Sequence, residues 1–437
     1  MSGLAKFCLT RGIKVSGSDK AVSSETKKLA ALGAKVFKGH KAENVRGAKL
    51  VVYTSAISDD NPELSLARKN GIPVLKRSEL LGGILSLHKR TVAVAGSHGK
   101  TTATAMLAEI MIAAGLNPTV FLGGERRTFG NCRVGGGDYA VAEACEYKRN
   151  FLDIHSEVAI ILNIDNDHVD TYKNMSEAVA AFSAFSKHSF CIVNADDAYA
   201  RAVFNSTTIT FGVKRLASYR AKYIVRSEYP SFTAYAYGRR LGRVRLKISG
   251  AHNIYNALAA IAAATELKIP FSVVKATLEE FDGVKRRNEY LGTFCGAACY
   301  ADYAHHPTEI AAMLCGKKGK TLAVFQPHTY SRTKALTGDF IKSLSLADGV
   351  IIYKTYPARE KFSAEGDGET LFKKIRDKIG DKASYADDTR ALFKELKRRG
   401  GAFDKILFLG AGDIYDIAKK RVGNRDFAQA GEKLKKM

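Results

Sequence analysis

The stretch Thr91-Val-Ala-Val-Ala-Gly96-Ser97-His98-Gly99-Lys100-Thr101-Thr102 decides how the rest of the chain is read. Its apolar start has the pattern of a short buried strand. A glycine loop follows, and then Ala103-Thr-Ala-Met-Leu-Ala-Glu-Ile-Met-Ile-Ala-Ala-Gly115, a helix pattern closed by its glycine. Strand, glycine loop, Lys-Thr and helix together make a phosphate-binding loop. Glycines let backbone N–H groups approach a triphosphate, and the helix N-terminus favours its negative charge. Gly96, Ser97, His98, Gly99 and Thr102 are expected to line the phosphates, Lys100 to reach the outer ones, and the Thr101 hydroxyl to ligate Mg2+. The commoner pattern places a glycine at position 94, where this chain has Val94, so the loop is a shorter variant.

Outward from this loop, 437 residues suffice for two or three domains with separate cores. An apolar content of 46% with 38 glycines suits a globular α/β protein. No run is long enough to cross a membrane and no signal pattern opens the chain, so a cytoplasmic protein is expected. Seven cysteines without a Cys-x-x-Cys pair are expected to be reduced thiols. The net charge of +24 could mark a nucleic-acid surface. The Lys and Arg residues are scattered, however, and no nucleic-acid-binding signature accompanies them, so acidic small-molecule substrates are the expected partners.

Along residues 1–88 a helix (Met1 to Gly12) precedes an alternation of strands and helices, with strands at Lys14–Asp19 and Leu50–Ile57. This alternation predicts a parallel sheet. An acid closing the strand at Asp19 is typical of nucleotide-binding domains. The phosphate-loop unit runs over 89–290. It holds a strand ending at Glu143, a strand ending at Asn163, a hairpin around Gly238, and an Ala-rich helix carrying Asn256. The last unit, 291–437, is again α/β, with strands ending at Asp302 and Phe325 and a final strand before Gly410. The expected architecture is three α/β domains. Two are Rossmann-like, and they flank a central phosphate-loop domain with a parallel sheet and a small hairpin region.

Glu143 and His168 each follow a strand of the phosphate-loop sheet. Sites in parallel sheets form at the carboxyl ends of strands, so both are placed near Lys100. A carboxylate there can hold Mg2+ and an imidazole a second metal. On placement alone Glu143 could equally cap a structure and His168 be an ordinary loop histidine, and Glu146, Asp165, Asp167 and Asp170 compete for the same roles. In the last unit, Asp302-Tyr303-Ala-His305-His306-Pro307 and Gln326-Pro-His328-Thr-Tyr330-Ser331-Arg332 are polar, cationic loops suited to a small carboxylate, with Arg332 as the fork. Arg287 lies at the junction of units and could meet phosphate or belong to a solvated basic linker.

These pieces in this order resemble the Mur ligases, ATP-dependent amide-forming enzymes of peptidoglycan synthesis. The matching segments are Met1-Ser-Gly-Leu-Ala, Val15-Ser-Gly-Ser-Asp19, Ala95-Gly-Ser-His-Gly-Lys-Thr-Thr102, Glu143-Ala-Cys-Glu146, Asn163-Ile-Asp-Asn-Asp-His168, Gly250-Ala-His-Asn-Ile-Tyr-Asn256, Asp302-Tyr-Ala-His-His-Pro-Thr-Glu309, Phe325-Gln-Pro-His-Thr-Tyr-Ser-Arg332, Tyr356-Pro-Ala-Arg-Glu360 and Gly410-Ala-Gly-Asp-Ile414. The Asp-Tyr-x-His-His-Pro and Gln-Pro-His-x-Tyr-Ser-Arg pieces resemble the muramate–alanine branch.

The resemblance implies a domain each for the UDP-sugar, ATP and the amino acid. It implies ATP and Mg2+ as cofactors, UDP-N-acetylmuramate and L-alanine as substrates, an acyl-phosphate intermediate, and a monomer or homodimer. Catalysis falls to Lys100, Glu143 and His168. Thr101, Glu143 and His168 become metal ligands. Asn256 is assigned to adenine, Arg287 to a phosphate and Asp302 to the ribose. Tyr303, His305 and Arg332 are assigned to the alanine pocket, and Ser18, Asp19 and Ser55 to the UDP-sugar. The alternatives are the sister ligase that reuses a murein tripeptide and a degenerate nucleotide binder. The family pattern opens with a strand and glycine loop directly before the segment at Met1, so an unpaired sheet edge is expected in the first unit. Ala301 and Ala304 stand where Asp and Gly are usual, and Asn288 where Phe is.

Overall fold

The computed structural model describes residues 1–437 except 56, 166, 168–170, 316–318 and 423–437. The chain divides into two compact units. The first comprises Met1–Ile224, Phe232–Arg245 and Ile254–Phe281; the second comprises Val225–Ser231, Leu246–Asn253 and the chain from Asp282 onward.

The first unit is built on a ten-stranded sheet. The Arg90–Ala95 strand lies near its middle, paired in parallel with Tyr139–Glu143 on one side and Val158–Ile161 on the other. Thr91 to Ala95 are all buried, which is why this strand reads as a continuous apolar run and not an alternation. The Lys100–Ala113 helix is buried along most of its length. Small residues (Ala103, Ala105, Ala108) let it lie close to the sheet. Toward one edge, Thr119–Arg126 pairs in parallel with Tyr139–Glu143 and antiparallel with Gly130–Arg133. Toward the other, the sheet continues through Phe190–Asn194, Ile209–Gly212 and Tyr219–Val225 to the Ser231–Ala236 and Arg239–Arg245 hairpin. The hairpin turns on Tyr237 and Gly238 with φ of 47° and 81°, the two positive angles of a type I′ turn.

Residues 1–88 belong to this first unit. The Ser2–Thr10 helix buries Leu4 and Phe7, and the Phe7 ring meets Phe121 of the central sheet at 5.9 Å. Lys6 anchors the same helix by donating to the Cys132 carbonyl at 2.7 Å. The parallel pairing expected here is present, but in two separate two-stranded sheets. Ser16–Asp19 pairs with Lys35–Lys38, and Val51–Tyr53 pairs with Val74–Lys76. Among the described residues each strand has one partner, so both sheets have open edges.

The second unit is a six-stranded sheet. Glu289–Phe294 and Ala297–Asp302 form an antiparallel pair, and Ala297–Asp302, Lys405–Leu409, Thr321–Phe325, Gly349–Tyr353 and Ala383–Ala386 follow in parallel. Its core lies on both faces, around Phe408 and Leu396 on one and Phe325 and Phe340 on the other. Ala301 and Ala304 are buried in these cores. All seven cysteines are free thiols. Among the described residues, no helix is long and apolar enough to cross a membrane.

Candidate functional site

The phosphate loop leaves the end of the Arg90–Ala95 strand and enters the Lys100–Ala113 helix through Gly99, which has φ of 86°. A side chain at Gly99 would be doubly excluded. The angle is left-handed, and an added Cβ would lie 2.5 Å from Asn256 Oδ1. Asn256, expected at adenine, is buried, and this approach places its side chain against Gly99 of the phosphate loop. A second asparagine, unassigned from sequence, fixes the loop backbone. Asn163 accepts from the His98 N–H at 2.8 Å and donates to the His98 carbonyl at 3.0 Å. The Ser97 hydroxyl accepts from the Asp165 N–H at 2.9 Å, and His98 Nε2 lies 2.9 Å from Asp165 Oδ2. Thr102 is buried at the first turn of the helix. Ser97, His98 and Asp165 therefore form one braced loop pair.

Lys100 folds back over the loop. Its ammonium donates to the Gly96 carbonyl at 2.5 Å, the Ser97 carbonyl at 3.1 Å and Glu146 Oε1 at 3.0 Å. Burial disfavours its charge, but Glu146 and Glu143 more than offset that, and its pKa stands above the ordinary lysine range. Thr101 Oγ1 donates to Glu143 Oε2 at 2.8 Å, and the Gly123 N–H donates to the same oxygen at 2.8 Å. Hydroxyl and carboxylate are hard oxygen donors, the set Mg2+ prefers, so these two residues fit that ion. His168 and Asp170 lie outside the described residues.

In the segment 1–88, Ser18 donates to Glu63 Oε2 at 2.7 Å and lies 2.9 Å from His40 Nδ1. Asp19 is exposed at the end of its strand. The Ser55 carbonyl accepts from Lys148 Nζ at 3.2 Å. His40 and Glu63 carried no motif signal, because they come together from separate elements only on folding.

The second unit gathers its own cluster at strand ends. Asp302 is half-buried and accepts from the Asn288 N–H at 2.6 Å and the Ala304 N–H at 2.8 Å. Burial raises its pKa, and Arg287 opposes that shift. Asn288 has φ of 47°, a left-handed angle that asparagine adopts more readily than most side-chain-bearing residues, which suits the residue type at this position. The guanidinium carbons of Arg286 and Arg287 lie 5.0 and 5.1 Å from the Tyr303 ring centre, and Arg287 is 3.9 Å from Glu309. His305 Nδ1 is 3.0 Å from the Tyr303 carbonyl and 3.3 Å from Glu309. Arg332 Nη1 is 3.3 Å from His328 Nδ1, and the His328 ring stacks on Tyr356. Burial, then the nearby His305 and Arg332, pushes His328 down to about 3, so it is neutral at physiological pH. Tyr303, His305 and Arg332 are thus brought together, joined by His328, Tyr356 and Glu309. Those three stand inside quoted motifs but had been given no role.

Three family profiles match in order: "Mur ligase family, catalytic domain" over residues 1–89, "Mur ligase middle domain" over 94–264, and "Mur ligase, glutamate ligase domain" over 286–412. The chain belongs to the Mur ligase family. This Mur ligase is 42% identical to the UDP-N-acetylmuramate–L-alanine ligase of Aquifex aeolicus, over 95% of the chain and 93% of that relative. It is 41% identical to the enzyme of the same name from Acetivibrio thermocellus, over 96% and 92%. Among solved structures it is similar to the UDP-N-acetylmuramate-alanine ligase of Thermotoga maritima, with a TM-score of 0.84, 30% identity and coverage of 98% and 97%. It shares its fold with a murein peptide ligase from Psychrobacter arcticus, at a TM-score of 0.73, 22% identity and coverage of 97% and 96%.

Proposed function

We propose that this Mur ligase joins L-alanine to the carboxylate of UDP-N-acetylmuramate at the expense of ATP, in peptidoglycan precursor synthesis. The reading is carried by the Thr101–Glu143 pair beside Lys100 in a chain 42% identical to an alanine ligase along 95% of its length. A muramoyl carboxylate oxygen attacks the γ-phosphorus of ATP, and ADP leaves. The alanine amine then attacks the acyl carbon, phosphate departs from the tetrahedral adduct, and the amine proton is released as the amide forms. Such a reaction is governed by positioning and charge neutralisation. Lys100 and the loop N–H groups hold the triphosphate. Thr101 and Glu143, with His168 assigned by its motif as a further ligand, would hold Mg2+, which when bound would supply charge neutralisation on the phosphate oxygens.

The remaining assignments follow the motifs. Asn256 is given to adenine, Asp302 to ribose and Arg287 to phosphate. Arg332 takes the alanine carboxylate in a pocket lined by Tyr303 and His305, and Ser18, Asp19 and Ser55 take the UDP-sugar. The reaction belongs in the cytoplasm, where ATP and UDP-linked sugars are made, and the enzyme works as a monomer or homodimer.

The test is ADP release from Mg-ATP and UDP-N-acetylmuramate, measured with no acceptor, with L-alanine and with murein tripeptide. Alanine-dependent release is expected. Release that follows the tripeptide instead would reassign the enzyme to the recycling branch, and acceptor-independent silence in all three would overturn the ligase reading.

A further inference from the structure

Glu146 stands out in the phosphate-loop site because the chain goes to some trouble to place it. It follows the Tyr139–Glu143 strand by three residues and is 2% exposed. Just after it, Lys148 and Arg149 adopt consecutive left-handed conformations, with φ of 50° and 57°. Neither is a glycine, and such angles cost roughly 1–2 kcal/mol each. The corner is held by two hydrogen bonds to the Glu146 carbonyl, from the Arg149 N–H at 2.9 Å and the Tyr172 hydroxyl at 2.7 Å. Backbone strain of this kind persists only where its surroundings enforce it. What it delivers is a buried carboxylate 2.9 Å from the Lys100 ammonium.

An ammonium has three N–H donors. In Lys100 all three are spent, on the Gly96 carbonyl, the Ser97 carbonyl and Glu146. A triphosphate oxygen can reach Lys100 only by taking over one of these donors. Two acceptors are neutral carbonyls of the loop itself; the third is an anion that competes with phosphate for the same charge. The exchange that admits phosphate therefore strips a buried carboxylate of the cation it is paired with, which is costly unless another cation takes that place. A divalent ion entering with the nucleotide meets this need three residues from Glu143.

We propose that Glu146 is a latch on the phosphate-loop lysine: it yields Lys100 to the triphosphate when a divalent cation arrives with it, and so makes nucleotide binding metal-coupled. Glu146 acts through Lys100 and is a positioning residue. This deepens the reading of the loop as an ATP site and rests on it.

The experiment compares ATP dissociation constants by calorimetry, in EDTA and in MgCl2, for the parent chain and for Glu146→Gln. The amide keeps the size of the carboxylate and removes the competing charge. The expected result is that metal-free ATP binds the variant tighter by about tenfold or more while Mg-ATP changes little, so the enhancement by Mg2+ shrinks by that factor. An enhancement equal to the parent's, whether affinity is kept or lost overall, would make Glu146 a static brace and overturn the latch. A parent chain that binds no ATP even with Mg2+ would overturn the ATP-site reading itself. Lys100→Met provides an independent arm. With its cation removed, the carboxylate should take up Mn2+ without nucleotide, more tightly than in the parent by paramagnetic resonance titration. Equal Mn2+ affinity in the two proteins would again sink the latch.

Discussion

Thr101 Oγ1 and Glu143 Oε2 are 2.8 Å apart, although 42 residues separate them in the chain. Parallel pairing of Val94 with Glu143 carries the carboxylate to the mouth of the phosphate loop. Glu143→Gln keeps this hydrogen bond available and removes the charge. The Mg2+ concentration for half-maximal ADP release should rise at least about tenfold, with the fold unchanged by circular dichroism. A titration that overlays the parent's would give the metal to another acid.

Lys100→Ala should abolish product formation, because the loop loses the ammonium that would meet the developing phosphate charge. It should also cost stability, at most about 3–5 kcal/mol, because Glu146 loses its ion-pair partner in a buried setting. Chemical denaturation of the variant measures the second effect separately from the first. Normal turnover would remove Lys100 from the site.

Gly99→Ala tests the approach of Asn256 to the loop. The left-handed angle and the 2.5 Å approach to Asn256 Oδ1 both oppose a methyl group. The KM for ATP should rise by about tenfold or more while the KM for alanine stays near the parent value. Equal changes in both would mean that the whole protein had been disturbed instead.

Arg332→Ala should raise the KM for alanine well beyond any change for ATP, by about tenfold to a hundredfold for loss of a charge-assisted carboxylate contact. The reverse order would place Arg332 outside the amino-acid pocket.

His328 gives the second unit a defined acid response. Its folded pKa of about 3 lies below the unfolded value near 6.5, so the unfolded chain binds the extra proton between them. The stability of its neutral state is fully present above about pH 6.5 and is lost as pH falls toward 3, at up to about 1.4 kcal/mol per pH unit. His328→Gln should flatten the denaturation-midpoint profile in this window. An unchanged acid limb would show that other groups carry the response.

Much of this site could be read in advance because its residues are local in sequence. Gly96 to Thr102 are contiguous, and strand, loop and helix follow from apolar run, glycines and helix formers. Arg332 and His305 were found inside short motifs for the same reason. Glu146 was only one of several competing acids, since nothing in its spacing distinguishes a lysine partner from a metal ligand. Its pairing with Lys100 is made beside a left-handed corner at Lys148 and Arg149, which no pattern of residue types announces. The Ser18, His40 and Glu63 cluster was likewise hidden, because three separate elements contribute to it.

By itself the sequence determined the phosphate loop, the α/β class and the ligase family, because each is written in contiguous residues whose backbone demands are local. The tertiary structure decided which charges meet. It put Glu143 on Thr101, Glu146 on Lys100 and Asn256 against Gly99. It also joined residues 1–88 to the central sheet through Phe7 and Phe121. The physical reason is that sheet register and buried packing bring distant segments within ångströms. At that range a charge or a methyl group changes the free energy of the site, while composition and spacing along the chain carry no record of the distance.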